Sequence, residues 1–237
     1  MIPRLGLGSG HALRAVLFDA GNTLLFLDYA RMARAVGAAL GFPLTGAVLA
    51  SHAPEASEAM ERASGNDTER ASTYLEALFR FSGVPANRMR EVRDCLKELH
   101  RERHLWCSIR DKTHEALARL RAAGIRLGIV SNSDGRVEQA LTVAGLRDYF
   151  DVVIDSGLVG VEKPDPVIFQ TALDALGVAP EEALYVGDLY EVDVLGARAA
   201  GIEAVLFTPS SPGPGQTCRT AGSIDELVNA LLPGERH

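Results

Sequence analysis

The sequence predicts an α/β protein: a parallel sheet with helices on both faces and an all-helical insertion after the first strand. Short apolar runs alternate with amphipathic segments from Asp111 to the C-terminus, which is the pattern of a parallel sheet. One such run also precedes a long stretch that has helical periodicity alone. Apolar residues make up 47% and charged residues 23% of the 237-residue chain, as expected for a globular protein with a large core.

Five apolar runs predict the strands of this sheet. Each is short and is followed by a turn or loop, as buried parallel strands are. Amphipathic segments lie between them, and glycines such as Gly124 and Gly177 end two of the predicted helices. The runs are Arg14–Phe18, Ile125–Val130, Asp151–Asp155, Ala183–Gly187 and Glu203–Phe207. We assign residues 1–24 and 108–237 to this α/β core domain.

The insertion is predicted to be a second, helical domain of residues 25–107. Its helical pattern breaks near Gly41, between Ser64 and Asp67, and near Gly83, where glycine, proline or short polar residues cluster. These breaks divide the segment into about four helices and leave no clear strand.

Charge and composition limit the partners and the compartment. The 24 Lys and Arg against 31 Asp and Glu give a net charge of −7, which argues against nucleic acid as a partner. The uncharged stretch from Ala35 to Pro54 is interrupted by glycines and Pro43, so no membrane span is expected, and the N-terminus predicts no signal peptide. Three cysteines without a Cys-x-x-Cys pair favour a reducing, cytoplasmic location.

Polar side chains follow the predicted strands at one edge of the sheet, where ligands of α/β proteins bind. Asp19 follows the first strand, and Ser131 and Asn132 follow the second. Lys163 lies in the loop after the third strand; Asp188 and Asp193 follow the fourth. Three carboxylates suit Mg²⁺, which prefers oxygen ligands. The helix that begins after Ser131, together with the Lys163 cation, suits a phosphate group.

Four segments in order resemble the motifs of haloacid dehalogenase (HAD) superfamily hydrolases, in the subfamily (IA) with a helical C1-type cap after the first motif. They are FDAGNTL at 18–24, IVSN at 129–132, EKPDPVIF at 162–169 and YVGDLYEVDVLGARAAG at 185–201. The resemblance covers nearly the whole chain. It implies a HAD-like Rossmannoid core and a Mg²⁺-dependent phosphatase that acts on a small phosphorylated metabolite.

The resemblance also implies residue roles. Asp19 is the nucleophile that becomes a phospho-aspartate, with Thr23 helping to orient it. Ser131 and the backbone around Asn132 bind the transferring phosphoryl group, and Lys163 steadies both that group and Asp19. The implied Mg²⁺ ligands are Asp19, the backbone carbonyl of Gly21, Asp188 and Asp193, the last of them through water.

Gly21 departs from the family pattern. Phosphatases of the family have a second aspartate at this position, which protonates the leaving group and then activates water. A general acid or base of this kind contributes about 10²–10⁴-fold in rate, and glycine cannot replace it. We therefore expect a preference for substrates with good leaving groups, such as acyl or aryl phosphates. Asp28, or His52 from the cap, is a possible substitute by position alone.

Two other functions remain open for this sequence. The chain is alternatively a catalytically weak or inactive family member that binds a phosphorylated ligand or a protein partner, because Gly21 removes the proton donor. A 2-haloacid dehalogenase is the third reading, but dehalogenases of the family lack the acidic pair that Asp188 and Asp193 form here. The phosphonate-cleaving branch uses a cap lysine soon after the first motif, whereas no lysine lies between Thr23 and Lys97.

Overall fold

A computed structural model describes residues 12–62, 67–208, 213 and 215–232. The chain forms two compact units: Met1–Phe26 with Ser108–His237, and Leu27–Cys107. Where the chain passes between the units, two short strands pair as a two-stranded sheet. None of the described helices combines the length and apolar character needed to cross a membrane. The N-terminal segment for which no signal peptide is predicted lies, up to residue 11, outside the described residues.

The larger unit contains a six-stranded parallel sheet, which confirms the α/β class. The spatial order is β5-β4-β1-β6-β7-β8, so that the first strand lies in the interior with β4 on one side and β6 on the other. The strands within the described residues are β1 (Ala15–Phe18), β2 (Phe26–Leu27), β3 (Trp106–Ser108), β4 (Arg126–Ser131), β5 (Val152–Asp155), β6 (Ala183–Gly187), β7 (Glu203–Phe207) and β8 (Arg219–Ala221). β2 and β3 form the two-stranded sheet.

Burial explains why these runs form interior strands. All four residues of β1 and all five of β6 are buried, as continuous apolar strands covered on both faces should be. Phe169 packs edge-on against Tyr185 with ring centroids 5.0 Å apart, which joins a helix to the middle of the sheet. The α-helices in the part of this unit that the structure describes are α6 (Thr113–Ala122), α7 (Val137–Val143), α8 (Ser156–Val159), α9 (Pro166–Leu176), α10 (Leu195–Ala199) and α11 (Ile224–Leu231).

The expected number of strands, five, is one too low. The sixth strand, β8, has three residues and pairs with β7 alone at the edge of the sheet. Only Ala221 of this strand is buried, so the segment has no apolar run by which a buried strand is recognised. Short edge strands of this kind are common because a long exposed edge promotes aggregation.

The smaller unit is helical and has its own apolar core, around Met32, Leu78 and Phe79. The described residues of this unit form five helices where about four were expected, because His52 alone separates the second from the third. They are α1 (Tyr29–Leu40), α2 (Gly46–Ser51), α3 (Ala53–Glu61), α4 (Asp67–Phe81) and α5 (Met89–Glu102). Asp28 caps α1 by accepting a hydrogen bond from the backbone N–H of Arg31 at 2.9 Å.

Asp155, the last residue of β5, ties the neighbouring loops to the sheet edge. Its buried carboxylate accepts three backbone N–H hydrogen bonds, each at 3.0 Å. Oδ1 binds the N–H groups of Gly135 and Gly157, and Oδ2 binds that of Val137 at the start of α7. One side chain thus holds the loop that follows β4 and the first turns of α7 and α8.

We predict that Asp155→Asn lowers the free energy of unfolding by about 1–3 kcal/mol, because the amide NH₂ would face N–H donors and leave buried groups unpaired. Urea unfolding measures the change. Asp148→Asn is the control, since Asp148 is an exposed aspartate of the same unit. Equal losses in the two variants would contradict the structural role of Asp155.

Candidate active site

The site lies at the carboxyl ends of three adjacent strands of the larger unit. Asp19 follows β1, Ser131 ends β4, and Asp188 follows β6. The backbone N–H of Asp19 donates to the carbonyl of Val186 at 2.8 Å, so the β1–β6 ladder continues up to Asp19. Parallel pairing thereby brings residues that are distant in sequence to one edge of the sheet.

Lys163 lies at the centre of the site and is only 5% exposed. Its Nζ donates to Asp19 Oδ1 at 2.7 Å, to Asp193 Oδ1 at 2.8 Å and to the hydroxyl of Tyr185 at 3.1 Å. Each of the three ammonium protons therefore has an acceptor. Lys163, Asp19 and Asp193, which the sequence placed in one site, are in direct contact.

Asp193 reaches Lys163 because Gly187 has no side chain. A π-helical turn, Tyr190–Val194, follows β6 and carries Asp193 back against the strand. A β carbon on residue 187 would lie 2.3 Å from Asp193 Cγ, closer than any real contact. Asp193 Oδ2 also accepts the backbone N–H of Leu189 at 2.9 Å. Both oxygens of this 1%-exposed carboxylate are thus bound within the protein.

Burial and neighbouring carboxylates raise the pKa of two carboxyl groups of the site, those of Asp19 and Asp188. Burial raises the pKa of Asp19 to about 6, although Lys163 opposes the change and Asp193 adds to it. Burial, followed by the charges of Asp19 and Asp193, raises the pKa of the Asp188 carboxyl well above its ordinary value, against a hydrogen bond from Asn22. Three carboxylates face one ammonium, so the site is short of positive charge.

The donor set fits Mg²⁺. Asp19 and Asp188 offer carboxylate oxygens, which this cation prefers, and no sulfur or imidazole ligand is needed. A divalent cation would supply positive charge beside Asp188, whose pKa is raised first by burial and then by the charges of Asp19 and Asp193. These carboxylate oxygens therefore suit Mg²⁺, the metal ion that the resemblance to the family implies.

Asn132 acts as a clamp on Lys163. Its Nδ2 donates to the backbone carbonyl of Lys163 at 3.0 Å, and its Oδ1 accepts the backbone N–H of the same residue at 2.7 Å. This pair fixes the loop that carries the lysine against the end of β4. Ser131 lies buried in the preceding position.

Thr23 does not orient Asp19 by a hydrogen bond. Its hydroxyl is buried and has no hydrogen-bond partner among the residues that the structure describes. The turn around it is closed by the backbone instead: the N–H of Leu25 donates to Ala20 at 2.7 Å and that of Asn22 to Leu25 at 2.8 Å. Gly21 lies in this turn and is partly exposed.

The two candidate substitutes for the missing acid have partners within the smaller unit. Asp28 caps α1 and lies 3.3 Å from Arg103. His52 Nδ1 lies 4.0 Å from a carboxylate oxygen of Glu55. The cap contact gives Asp28 a structural role in the smaller unit.

Tyr185 is the site residue that the sequence analysis missed. It lies in the apolar run of β6, where an aromatic residue is usually part of the core. The available signal was its position two residues before Gly187, since residues two apart share a face of a strand. Tyr185 therefore lies on the face of β6 against which Asp193 packs at Gly187. Nothing in the run itself indicates that its hydroxyl meets Lys163.

Comparison with known proteins gives consistent matches. A sequence model of the haloacid dehalogenase-like hydrolases matches residues 13–201. Haloacid dehalogenase-like hydrolase domain-containing protein 3 of Mus musculus is 41% identical over 158 residues, 66% of this chain and 58% of the relative. Phosphoserine phosphatase of Thermus thermophilus is 38% identical over 168 residues, 70% of this chain and 65% of the relative.

The match thus spans less than two thirds of each relative's length. Among solved structures, a HAD hydrolase of Bacillus subtilis bound to magnesium superimposes with a TM-score of 0.71. The two chains are 21% identical, and the match covers 93% of this chain and 99% of the other. At that identity the likeness concerns the fold.

We predict that Gly187→Ala lowers the free energy of unfolding by about 1–3 kcal/mol, because its methyl group overlaps Asp193 and forces the π-helical turn away from β6. Thermal and urea unfolding measure the loss. Gly213→Ala is the matched control, since among the described residues the atoms nearest to a β carbon there belong to the side chain of Gln216, at 3.4 Å. Equal stability of the two variants would contradict the close approach.

Proposed function

The chain belongs to the haloacid dehalogenase-like hydrolases, and from this we propose that it is a Mg²⁺-dependent phosphatase acting on a small phosphorylated metabolite. The observation that carries the proposal is the buried Lys163 ammonium between Asp19 and Asp193, beside the third carboxylate of Asp188. The similarity to a phosphoserine phosphatase supports phosphoryl rather than halide chemistry.

In the proposed reaction Asp19 attacks the phosphorus atom of the substrate. An Asp19 carboxylate oxygen forms the new O–P bond while the bond from phosphorus to the leaving oxygen breaks, which gives a phospho-aspartate. Water then attacks that phosphorus, so that orthophosphate leaves and the Asp19 carboxylate is restored. Lys163 holds Asp19 in place and offsets the phosphoryl charge, and Ser131 with the backbone of Asn132 binds the phosphoryl oxygens.

Asp19, Asp188 and the carbonyl of Gly21 would hold Mg²⁺ directly. Asp193 would contact the ion through water, because both of its oxygens already accept hydrogen bonds within the protein. Bound Mg²⁺ supplies positive charge for the phosphoryl oxygens. The protein's own contribution is to hold the carboxylates and Lys163 in one rigid arrangement at the strand ends.

The leaving group must depart without a proton from residue 21. Acyl and aryl leaving groups carry the developing negative charge well, whereas an alkoxide needs a proton in the transition state. We therefore propose acyl or aryl phosphates as preferred substrates. The three free cysteines, Cys95, Cys107 and Cys218, support a reducing compartment such as the cytoplasm.

A second candidate function is phosphate-ligand binding with little or no turnover. Gly21 favours it, since the charged groups that bind a phosphoryl group are present while the usual proton donor is absent. A 2-haloacid dehalogenase is disfavoured, because dehalogenases of the family lack the acidic pair that Asp188 and Asp193 form here.

We predict that Asp19→Asn lowers phosphate release from acetyl phosphate and p-nitrophenyl phosphate by about 10³-fold or more, because the amide cannot act as nucleophile. EDTA should abolish the activity of the unsubstituted protein, and added Mg²⁺ should restore it. Asp148→Asn, at an exposed aspartate of the same unit, should retain full activity. Phosphate release that persists in Asp19→Asn would refute the assignment.

We predict that Gly21→Asp raises turnover of alkyl phosphates by about 10²–10⁴-fold and that of aryl phosphates by less, because both gain a base that activates water but only alkyl leaving groups need the restored general acid. The backbone of Gly21 does not have a positive φ, so its conformation is one that residues other than glycine adopt. Gly21→Asn is the matched control, with nearly the same shape and no acidic proton. Orthophosphate binding without turnover in all three proteins would support the binding function instead.

A further inference from the structure

The hydroxyl of Tyr185 lies inside the site, beyond the reach of solvent. Tyr185 is 0% exposed. Its oxygen lies 3.1 Å from Lys163 Nζ, 3.1 Å from Asp193 Oδ1 and 3.0 Å from the backbone carbonyl of Val130. The phenol therefore accepts from the lysine and has two acceptors for its own proton. The catalytic steps proposed above make no use of it.

Lys163 has no spare proton for a substrate in this arrangement. Its three N–H groups point to Asp19, Asp193 and Tyr185. A phosphoryl oxygen that binds Lys163 must replace one of these acceptors. Two of them are carboxylates at 2.7 and 2.8 Å, whereas the third is a neutral phenol at 3.1 Å. Hydrogen bonds to charged acceptors are the stronger ones, so the phenol is the acceptor that is given up most easily.

Tyr185 loses little by this exchange. Its proton still has Val130 and Asp193 as acceptors after Lys163 turns away. Its ring is packed edge-on against Phe169 and is buried in the core of the larger unit, so it does not follow the lysine. The exchange therefore replaces a neutral acceptor by an anionic one and leaves no buried donor unpaired.

We propose that Tyr185 is a placeholder for the phosphoryl group. Its hydroxyl oxygen accepts the third N–H hydrogen bond of Lys163 before phosphate binds, and a phosphoryl oxygen then replaces it as the acceptor of that hydrogen bond. The proposal rests on the phosphoryl-binding role of Lys163 in the proposed function. Tyr185 is then a positioning residue that accepts the hydrogen bond of Lys163 while no phosphate is bound. Because it competes with phosphate for this hydrogen bond, it weakens the binding of phosphate, the product of the reaction, and favours its release.

Removing the hydroxyl should tighten phosphate binding. In Tyr185→Phe the third N–H of Lys163 has no acceptor until phosphate arrives, so phosphate no longer competes with the phenol. We expect the dissociation constant of orthophosphate in the presence of Mg²⁺ to fall about three- to tenfold, the size of one net hydrogen bond. A residue that merely maintains the fold would weaken binding or reduce the number of competent sites when altered.

Isothermal titration of orthophosphate into the full chain with Mg²⁺ tests this, because it yields affinity and stoichiometry separately. Tyr149→Phe is the matched control: its hydroxyl lies 3.3 Å from His114 Nδ1 in the same unit, and its affinity should equal that of the unsubstituted protein. Tighter binding at unchanged stoichiometry in Tyr185→Phe supports the placeholder. Unchanged or weaker binding, or no binding by either protein, overturns it.

Phosphate release is measured on the same samples, so that the two proposals are separated. Absent turnover refutes the phosphatase, while tighter orthophosphate binding in Tyr185→Phe still supports the placeholder. If Tyr185→Phe does not fold, crystal structures of the unsubstituted protein with Mg²⁺, with and without orthophosphate, decide the question. The distance from Lys163 Nζ to the Tyr185 oxygen should grow from 3.1 Å to beyond about 3.5 Å. A distance that stays at 3.1 Å with phosphate bound overturns the proposal.

Discussion

A buried ammonium group needs anionic partners, and this requirement organises the site. Removing Lys163 from water is costly unless its charge is paired and its protons are bound. Asp19 and Asp193 supply the charges, and with Tyr185 they bind all three protons. The pairing in turn restrains the carboxylates, since Asp19 and Asp193 would repel each other without the cation between them. Charge, geometry and burial therefore depend on one side chain.

Gly187, Asn132 and Asp155 support the position of the Lys163 ammonium group through their local contacts. Gly187 lets the π-helical turn approach β6, because any β carbon there would overlap Asp193. Asn132 grips the backbone of Lys163 through both ends of its amide, so the lysine is fixed at its main chain as well as at its tip. Asp155 holds the loop that follows Asn132 by accepting backbone N–H groups. Rigid support of this kind is what preorganised electrostatic catalysis requires.

The sequence predicted the residues at strand ends and missed the contacts made inside the sheet. Asp19, Asp188 and Lys163 follow apolar runs, and the rule that strand ends share an edge was enough to group them. Tyr185 could not be found in this way, since its role depends on which strands are neighbours and how deep its hydroxyl lies. The edge strand β8 was missed because it lacks an apolar run, and the clamp role of Asn132 because it depends on side-chain orientation.

With glycine at position 21, the turn after β1 lacks the proton donor that phosphatases of the family have there, while the groups proposed to bind the phosphoryl group remain. The turn is closed by backbone hydrogen bonds of Ala20, Asn22 and Leu25, so glycine at position 21 leaves it intact. The carboxylates and Lys163 depend on β1, β6 and their loops, and none of their contacts involves a side chain at position 21. Phosphoryl binding can therefore persist when the proton donor is lost. On the proposed mechanism, the leaving group's own ability to carry charge would set the substrate preference, and a change at residue 21 would alter that preference without rebuilding the site.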